Sequence, residues 1–165
     1  YVKRSLQNLF DPLVISWGFN STTPSHSKFL DYHQTQGTRD FSAFCTVPTV
    51  IDFLQQHKWT AVSKECRTLV QTNALRFCEL LRSEPLAPIN DDYILQLFSI
   101  PINTPEPETL KDVLFNKYKI EIPVMRHENS VYLRYSIQAF NTQQDLDILE
   151  DALKNIIQTT SLIKV

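Results

Sequence analysis

Val131-Tyr132-Leu133-Arg134-Tyr135-Ser136-Ile137-Gln138 alternates side chains along a strand, and Asn141-Thr142 then opens a helical pattern. Successive strand residues face opposite sides. Val131, Leu133, Tyr135 and Ile137 therefore share an apolar face, and Tyr132, Arg134, Ser136 and Gln138 a polar one. Asp145 follows Thr142 by three residues, a capping-box arrangement. Leu146, Leu149, Leu153, Ile156 and Ile157 then recur at helical spacing. Working back, Lys119 to Val124 reads as a strand that Pro123 confines to an end or edge. Thr104 and Pro105 read as N-cap and first residue of a helix with Leu110, Val113, Leu114 and Tyr118 on its buried stripe. Tyr93 to Ile100 reads as a further strand. The order strand, helix, strand, strand, helix predicts an α+β fold, a small antiparallel or mixed sheet with helices on one face.

Long helices precede that sheet. Trp59 to about Leu81 carries Val62, Cys66, Leu69, Val70, Phe77, Leu80 and Leu81 on one face. A helical stretch from about Phe41 to His57 contains Pro48, which kinks it or marks its true start. Before it, residues 19–36 read as a polar loop and Leu13-Val14-Ile15-Ser16-Trp17 as a short strand ended by Gly18. A short helical turn is expected within residues 1–10. The domain boundary is placed between residues 1–57 and 58–165.

Composition narrows the classes. The chain has 165 residues, a net charge of −2, 2 glycines and 3 cysteines. That length suits one domain of ordinary size. The weak negative charge offers no broad field for nucleic acid, and no apolar run is long enough for a membrane span. No leader pattern is visible, so a cytoplasmic location is expected, and a start other than Met leaves room for sequence upstream. Cys45, Cys66 and Cys78 form no CxxC pair and read as buried, structural thiols. The four histidines lack metal-ligand spacing, so no metal site is expected.

Two segments could carry chemistry. In Gln36-Gly37-Thr38-Arg39-Asp40 a glycine sits beside a hydroxyl, a cation and a carboxylate at a helix start. Such a corner can bind an anion, or it can be a plain helix start with Asp40 as N-cap. Arg134 lies mid-strand among hydroxyl and amide groups. Its planar fork suits a carboxylate, and a solvated strand arginine would fit the same pattern.

These segments resemble the C-terminal part of the class V pyridoxal-phosphate (PLP) enzymes, of aspartate-aminotransferase-like fold. Gly37-Thr38-Arg39-Asp40 with Ser42-Ala43-Phe44, Val47-Pro48 and Asp52-Phe53-Leu54 is similar to the segment following the cofactor lysine, most of all in the isopenicillin N epimerase-like branch. Leu133-Arg134-Tyr135-Ser136 with Phe140-Asn141-Thr142 and Asp145-Leu146 is similar to the group's closing strand, turn and helix, with Phe140 where a tyrosine is usual.

The resemblance implies PLP as cofactor and a homodimer. It implies that Gly37 and Thr38 bind the cofactor phosphate of the neighbouring subunit, and that Arg134 binds the carboxylate of an amino-acid or short-peptide substrate. Arg39 is a further candidate for substrate contact. The residues that perform the chemistry, the Schiff-base lysine above all, would lie upstream, so none is expected in this chain. Lys28, in Ser25-His26-Ser27-Lys28, falls in the wrong loop for that role. The chain alone is expected to be an inactive fragment of an epimerase-like enzyme. A carbon–sulfur lyase, an aminotransferase and a non-catalytic α+β interaction module are the alternatives. Met125 to Ser130, read as the loop between the last two strands, lacks the cysteine that a desulfurase of this class carries there.

Overall fold

Alternating apolar residues from two long strands and stripes from three helices close one hydrophobic core, whose buried apolar side chains all lie between Cys66 and Ile163. The structure, a computed structural model, describes residues 1–34 and 36–165. It divides into two compact units, Tyr1–Ile51 and Asp52–Val165, with the division inside one helix.

The first unit holds a 3-10 turn at Arg4–Leu9, α1 (Lys28–Gln34), α2 (Ser42–Cys45) and the beginning of α3 (Val47–Gln56). The predicted strand at residues 13–17 does not form. A strand needs a neighbour for its N–H and C=O groups, and no strand of the first unit exists among the described residues. Leu13, Val14, Ile15 and Trp17 are exposed instead. Part of the stretch read as loop is α1. Its first turn is tied by Ser27 Oγ, which accepts from the Leu30 N–H at 3.3 Å. Asp31 reaches back to accept from the Ser25 N–H at 3.0 Å. Pro48 marks a true start: it is the second residue of α3, where its missing N–H costs nothing.

The second unit contains α4 (Trp59–Leu80), β1 (Leu97–Ile102), α5 (Pro107–Tyr118), β2 (Val124–His127), β3 (Ser130–Ser136) and α6 (Gln143–Thr159). The sheet is antiparallel throughout, in the order β1-β3-β2. Phe98, Ile100, Ile102, Val131, Leu133 and Tyr135 are buried on its core face. α4 packs on β1 and α6, and α5 on β2. The expected α+β arrangement of a small sheet with helices on one face is therefore the fold of this unit.

Several boundaries move for local reasons. β1 begins at Leu97 rather than Tyr93 and continues through Pro101. It is an edge strand, where a proline is tolerated. Upstream, Gln71 Nε2 donates to the Ile94 carbonyl at 3.0 Å, so that backbone group is met by a side chain and not by a ladder. α5 starts at Pro107, not Pro105. Thr104 does not cap it; its Oγ1 accepts from the Glu106 N–H at 3.3 Å in a turn just before the helix. Lys119 adopts a left-handed φ of 59° that ends α5, so β2 lies at residues 124–127. Residues 125–130, read as a loop, are the hairpin itself, turning at Glu128 with φ 51°. The capping box of α6 forms as expected from Thr142 and Asp145.

With so few glycines, α4 ends on an arginine. Arg82 takes a φ of 47°. Its N–H donates to the Glu79 carbonyl at 3.2 Å and that of Ser83 to the Cys78 carbonyl at 2.9 Å. This is the bond pair of a Schellman motif, usually closed by glycine. Cys66 and Cys78 are buried as expected, but Cys45 is exposed on α2, a helix with no buried residue. No helix among the described residues is long and apolar enough to cross a membrane.

A polar clasp joins α4 to α6. The Asn73 and Gln143 amides exchange two hydrogen bonds of 2.9 Å, and Arg76 Nη1 lies 2.8 Å from Asp147 and 3.2 Å from Glu150. Gln143 first, then Arg76, hold the Asp147 carboxyl below its ordinary value of 3.8. A carboxyl depressed in the folded state contributes stability above its unfolded value that is lost as pH falls through its folded value. Urea midpoints are therefore expected to fall on acidification below about pH 3.8. Asp147→Asn should flatten part of that fall; an unchanged acid profile in the variant would count against the clasp.

Candidate functional site

In the first unit, Gly37 has a φ of 107°, a backbone that side chains rarely adopt, and an added Cβ would only touch Ser16 Oγ at 3.7 Å. The glycine is thus needed for loop shape rather than for space. That shape turns the chain so that Thr38 is exposed. The loop's own bonds come from its neighbours. Arg39 Nη2 donates to the Gln34 carbonyl at 3.1 Å, and its guanidinium lies over the rings of Phe41 and Phe44, 5.1 and 5.4 Å from their centroids. Gly37, Arg39 and both rings line a cavity of about 450 Å³. Asp40 precedes Phe41, the residue flanking α2, and its carboxylate accepts from the Ser42 N–H at 2.8 Å and hydroxyl at 2.9 Å. These bonds, the backbone one foremost, hold the Asp40 carboxyl low. Asp40 therefore does not take the expected N-cap position, which falls to Phe41 without a side-chain cap; it stands one residue earlier and ties the start of α2 through Ser42.

In the second unit, Arg134 lies in β3 opposite Ser99 of β1, on the face away from the buried core side chains Leu133 and Tyr135. Its own N–H donates to the Pro123 carbonyl at 3.1 Å, which locks the central backbone. The side chain is half-buried, and its Nε is shielded from solvent with no hydrogen-bond partner among the described residues. A shielded guanidinium N–H without an acceptor costs free energy that an incoming anion would return. Tyr132 and Ser99, also half-buried, flank it on the same face. Lys28 is exposed at the start of α1 with Nζ 4.9 Å from the Tyr32 ring centroid, engaged as a surface cation. No group of three His, Cys, Asp or Glu side chains that could hold a metal is present among the described residues.

The chain shares the architecture of 8-amino-7-oxononanoate synthase from Francisella tularensis, with a TM-score of 0.52 and 20% identity over 77% of this chain and 38% of that one. In sequence, it is 26% identical over 156 residues to isopenicillin N epimerase of Amycolatopsis lactamdurans, covering 88% of this chain and 39% of that protein. No family model matches. The chain thus resembles the aspartate-aminotransferase-like PLP enzymes of class V, in their isopenicillin N epimerase-like branch, as the two motifs implied. It spans well under half the length of either relative.

Proposed function

We propose that this chain is the C-terminal portion of a PLP-dependent, epimerase-like enzyme acting on an amino acid or short peptide. The observation that carries the reading is Arg134, a half-buried guanidinium on the polar face of β3 whose Nε is shielded and finds no partner among the described residues. A carboxylate is the anion its fork grips best. The likeness to isopenicillin N epimerase over most of the chain supports an amino-acid-derived substrate.

The residues present fit a phosphate-bearing cofactor. Gly37 holds the loop in a left-handed turn and Thr38 stands exposed beside it. In this reading Thr38 binds the cofactor phosphate of a second subunit, and Arg39, stacked on two rings, borders the same loop. When bound, PLP supplies an electron sink for a proton leaving the substrate's α-carbon. Arg134 fixes the carboxylate attached to that carbon and so sets which face is presented. The exposed apolar side chains Phe41, Phe44, Val47, Val50 and Ile51 supply a surface that a homodimer would cover. A lyase or aminotransferase of the same kind would use the same two anchors. An interaction module without cofactor would use the apolar surface alone.

Thr38→Ala in the intact protein is expected to weaken PLP retention by about 1–2 kcal/mol, the worth of a hydrogen bond to a charged group. Mixed dimers give the sharp test. Pairing a Thr38→Ala subunit with one lacking the cofactor lysine should weaken cofactor binding at only one of the two sites. Unchanged affinity at both would remove Thr38 from the phosphate site.

A further inference from the structure

The strand register sets the neighbours of Arg134 in rows across the sheet. Its own row contains Ser99 of β1. One step along β3 toward the hairpin, Tyr132 pairs with Pro101 of β1 on one side and with Met125 of β2 on the other. Side chains two residues apart on a strand share a face, so this second row stands beside Arg134, away from the core. Tyr132 and Pro101 are half-buried, and Met125 is exposed. The opposite step along β3 reaches Ser136, whose row only Leu97 completes, because β2 begins at Val124.

The two sides of Arg134 therefore differ. On one side lie a phenol ring, a pyrrolidine and a thioether, side by side across all three strands. Directly opposed Cβ atoms in a sheet are about 5 Å apart, so these side chains form one continuous apolar strip. On the other side lie a hydroxyl and a single leucine. Within these paired rows Arg134 is the one charged side chain on this face. The next titratable group in the register is His127, paired with Ser130 one further step beyond Tyr132. A tyrosine presents an apolar body with a polar tip, and a methionine adapts to the shape of what it touches.

We propose that Pro101, Tyr132 and Met125 form the shelf on which the substrate's side chain lies while Arg134 holds its carboxylate. The substrate class is then an amino acid or short peptide with a long aliphatic or aromatic group on the reacting carbon. The shelf's role rests on the reading of Arg134 as the carboxylate anchor, and it adds the choice of side chain. Two strand residues span about 7 Å, a step that a long side chain crosses from the carboxylate beside it and a methyl group does not. A carboxylate or ammonium side chain would leave water for a strip that offers no counter-charge, which costs free energy. Tyr132, at the middle of the row, is thus a specificity-determining residue rather than a catalytic one.

The test follows exchange of the α-proton in D₂O with the intact PLP-loaded protein and alanine, norleucine, phenylalanine and glutamate as substrates. Norleucine or phenylalanine is expected to exceed alanine and glutamate in kcat/KM by about tenfold or more, the discrimination an apolar contact supplies. In Tyr132→Ala the norleucine-to-alanine ratio should fall about tenfold. Both substrates are read on the same protein, so a general loss of stability cancels from that ratio. Tyr132→Phe keeps the ring and should keep the ratio. Met125→Lys places a cation at an exposed position of an edge strand, where lysine is tolerated. It should raise glutamate relative to norleucine, a gain that misfolding does not produce. Preference for alanine or glutamate in the parent, an unchanged ratio in Tyr132→Ala, or no gain for glutamate in Met125→Lys would each overturn the shelf; if exchange is still lost in Arg134→Ala, the carboxylate anchor stands without it. Exchange indifferent to Arg134→Ala, or absent with every substrate while PLP is retained, would overturn the anchor and the shelf together.

Discussion

Arg134→Ala in the intact protein is expected to raise KM for the amino-acid substrate and to lower kcat/KM by about 2–5 kcal/mol, roughly thirty-fold to several-thousand-fold. The size follows from the environment. The guanidinium is half-buried and its Nε has no partner among the described residues, so water would screen its pairing with a carboxylate less than on an open surface. Arg134→Lys should recover only part of the loss, because an ammonium keeps the charge and lacks the two-pronged geometry. Folding should be nearly unaffected, since the residue's structural contribution is a backbone bond to Pro123 that alanine retains. Cofactor retention should also hold. Unchanged substrate kinetics in the alanine variant would make Arg134 an ordinary strand arginine.

Phe77→Ala should be the most damaging of the core substitutions, at about 3–5 kcal/mol. Phe77 is fully buried on α4. Its ring lies 5.4 Å from that of Tyr135 on β3, which lies 5.9 Å from Phe98 on β1, so three aromatics join the helix to two strands. The cavity cannot readily collapse. Tyr135 is pinned at its far end, where its hydroxyl donates to the Val70 carbonyl at 3.0 Å, and burial pushes its phenol pKa well up. In urea, the midpoint should fall with little change in slope. Phe115→Ala, at a site 54% exposed on α5, should stay within about 0.5 kcal/mol of the parent. A Phe77→Ala loss no larger than that of Phe115→Ala would contradict the core as described.

The parts of the fold that could be read from sequence are those in which local pattern and tertiary packing agree. The stripe of α4, the alternation of β3 and the capping box of α6 each carry their own period or cap, and each forms as read. The failures have tertiary causes. Residues 13–17 have β-forming side chains, yet a strand exists only with a partner, which their composition cannot supply. β1 runs through Pro101 because it lies at the sheet edge, a fact of topology. Met125-Arg126-His127 lacks alternation, and only its pairing with β3 makes it a strand. Cys45 follows the helical pattern of its neighbours but lies on a helix that buries nothing within its unit.

The candidate site was legible in its backbone more than in its chemistry. Gly37 announced itself by rarity, and its left-handed φ bears out the loop it was expected to shape. Arg134 was marked by its place on the polar face of β3. The shielding of its Nε is a three-dimensional property that no spacing reveals.

The central claim is that this chain serves PLP chemistry at the α-carbon of an amino acid or short peptide. The most direct measurement is exchange of the substrate α-proton for deuterium in D₂O, followed by NMR with the intact PLP-loaded protein and a panel of amino acids and short peptides. The account predicts cofactor-dependent exchange for at least one member of the panel, strongly reduced in Arg134→Ala while the cofactor stays bound. Exchange that proceeds equally well in Arg134→Ala, or none with any member of the panel in a protein that retains PLP, would contradict it.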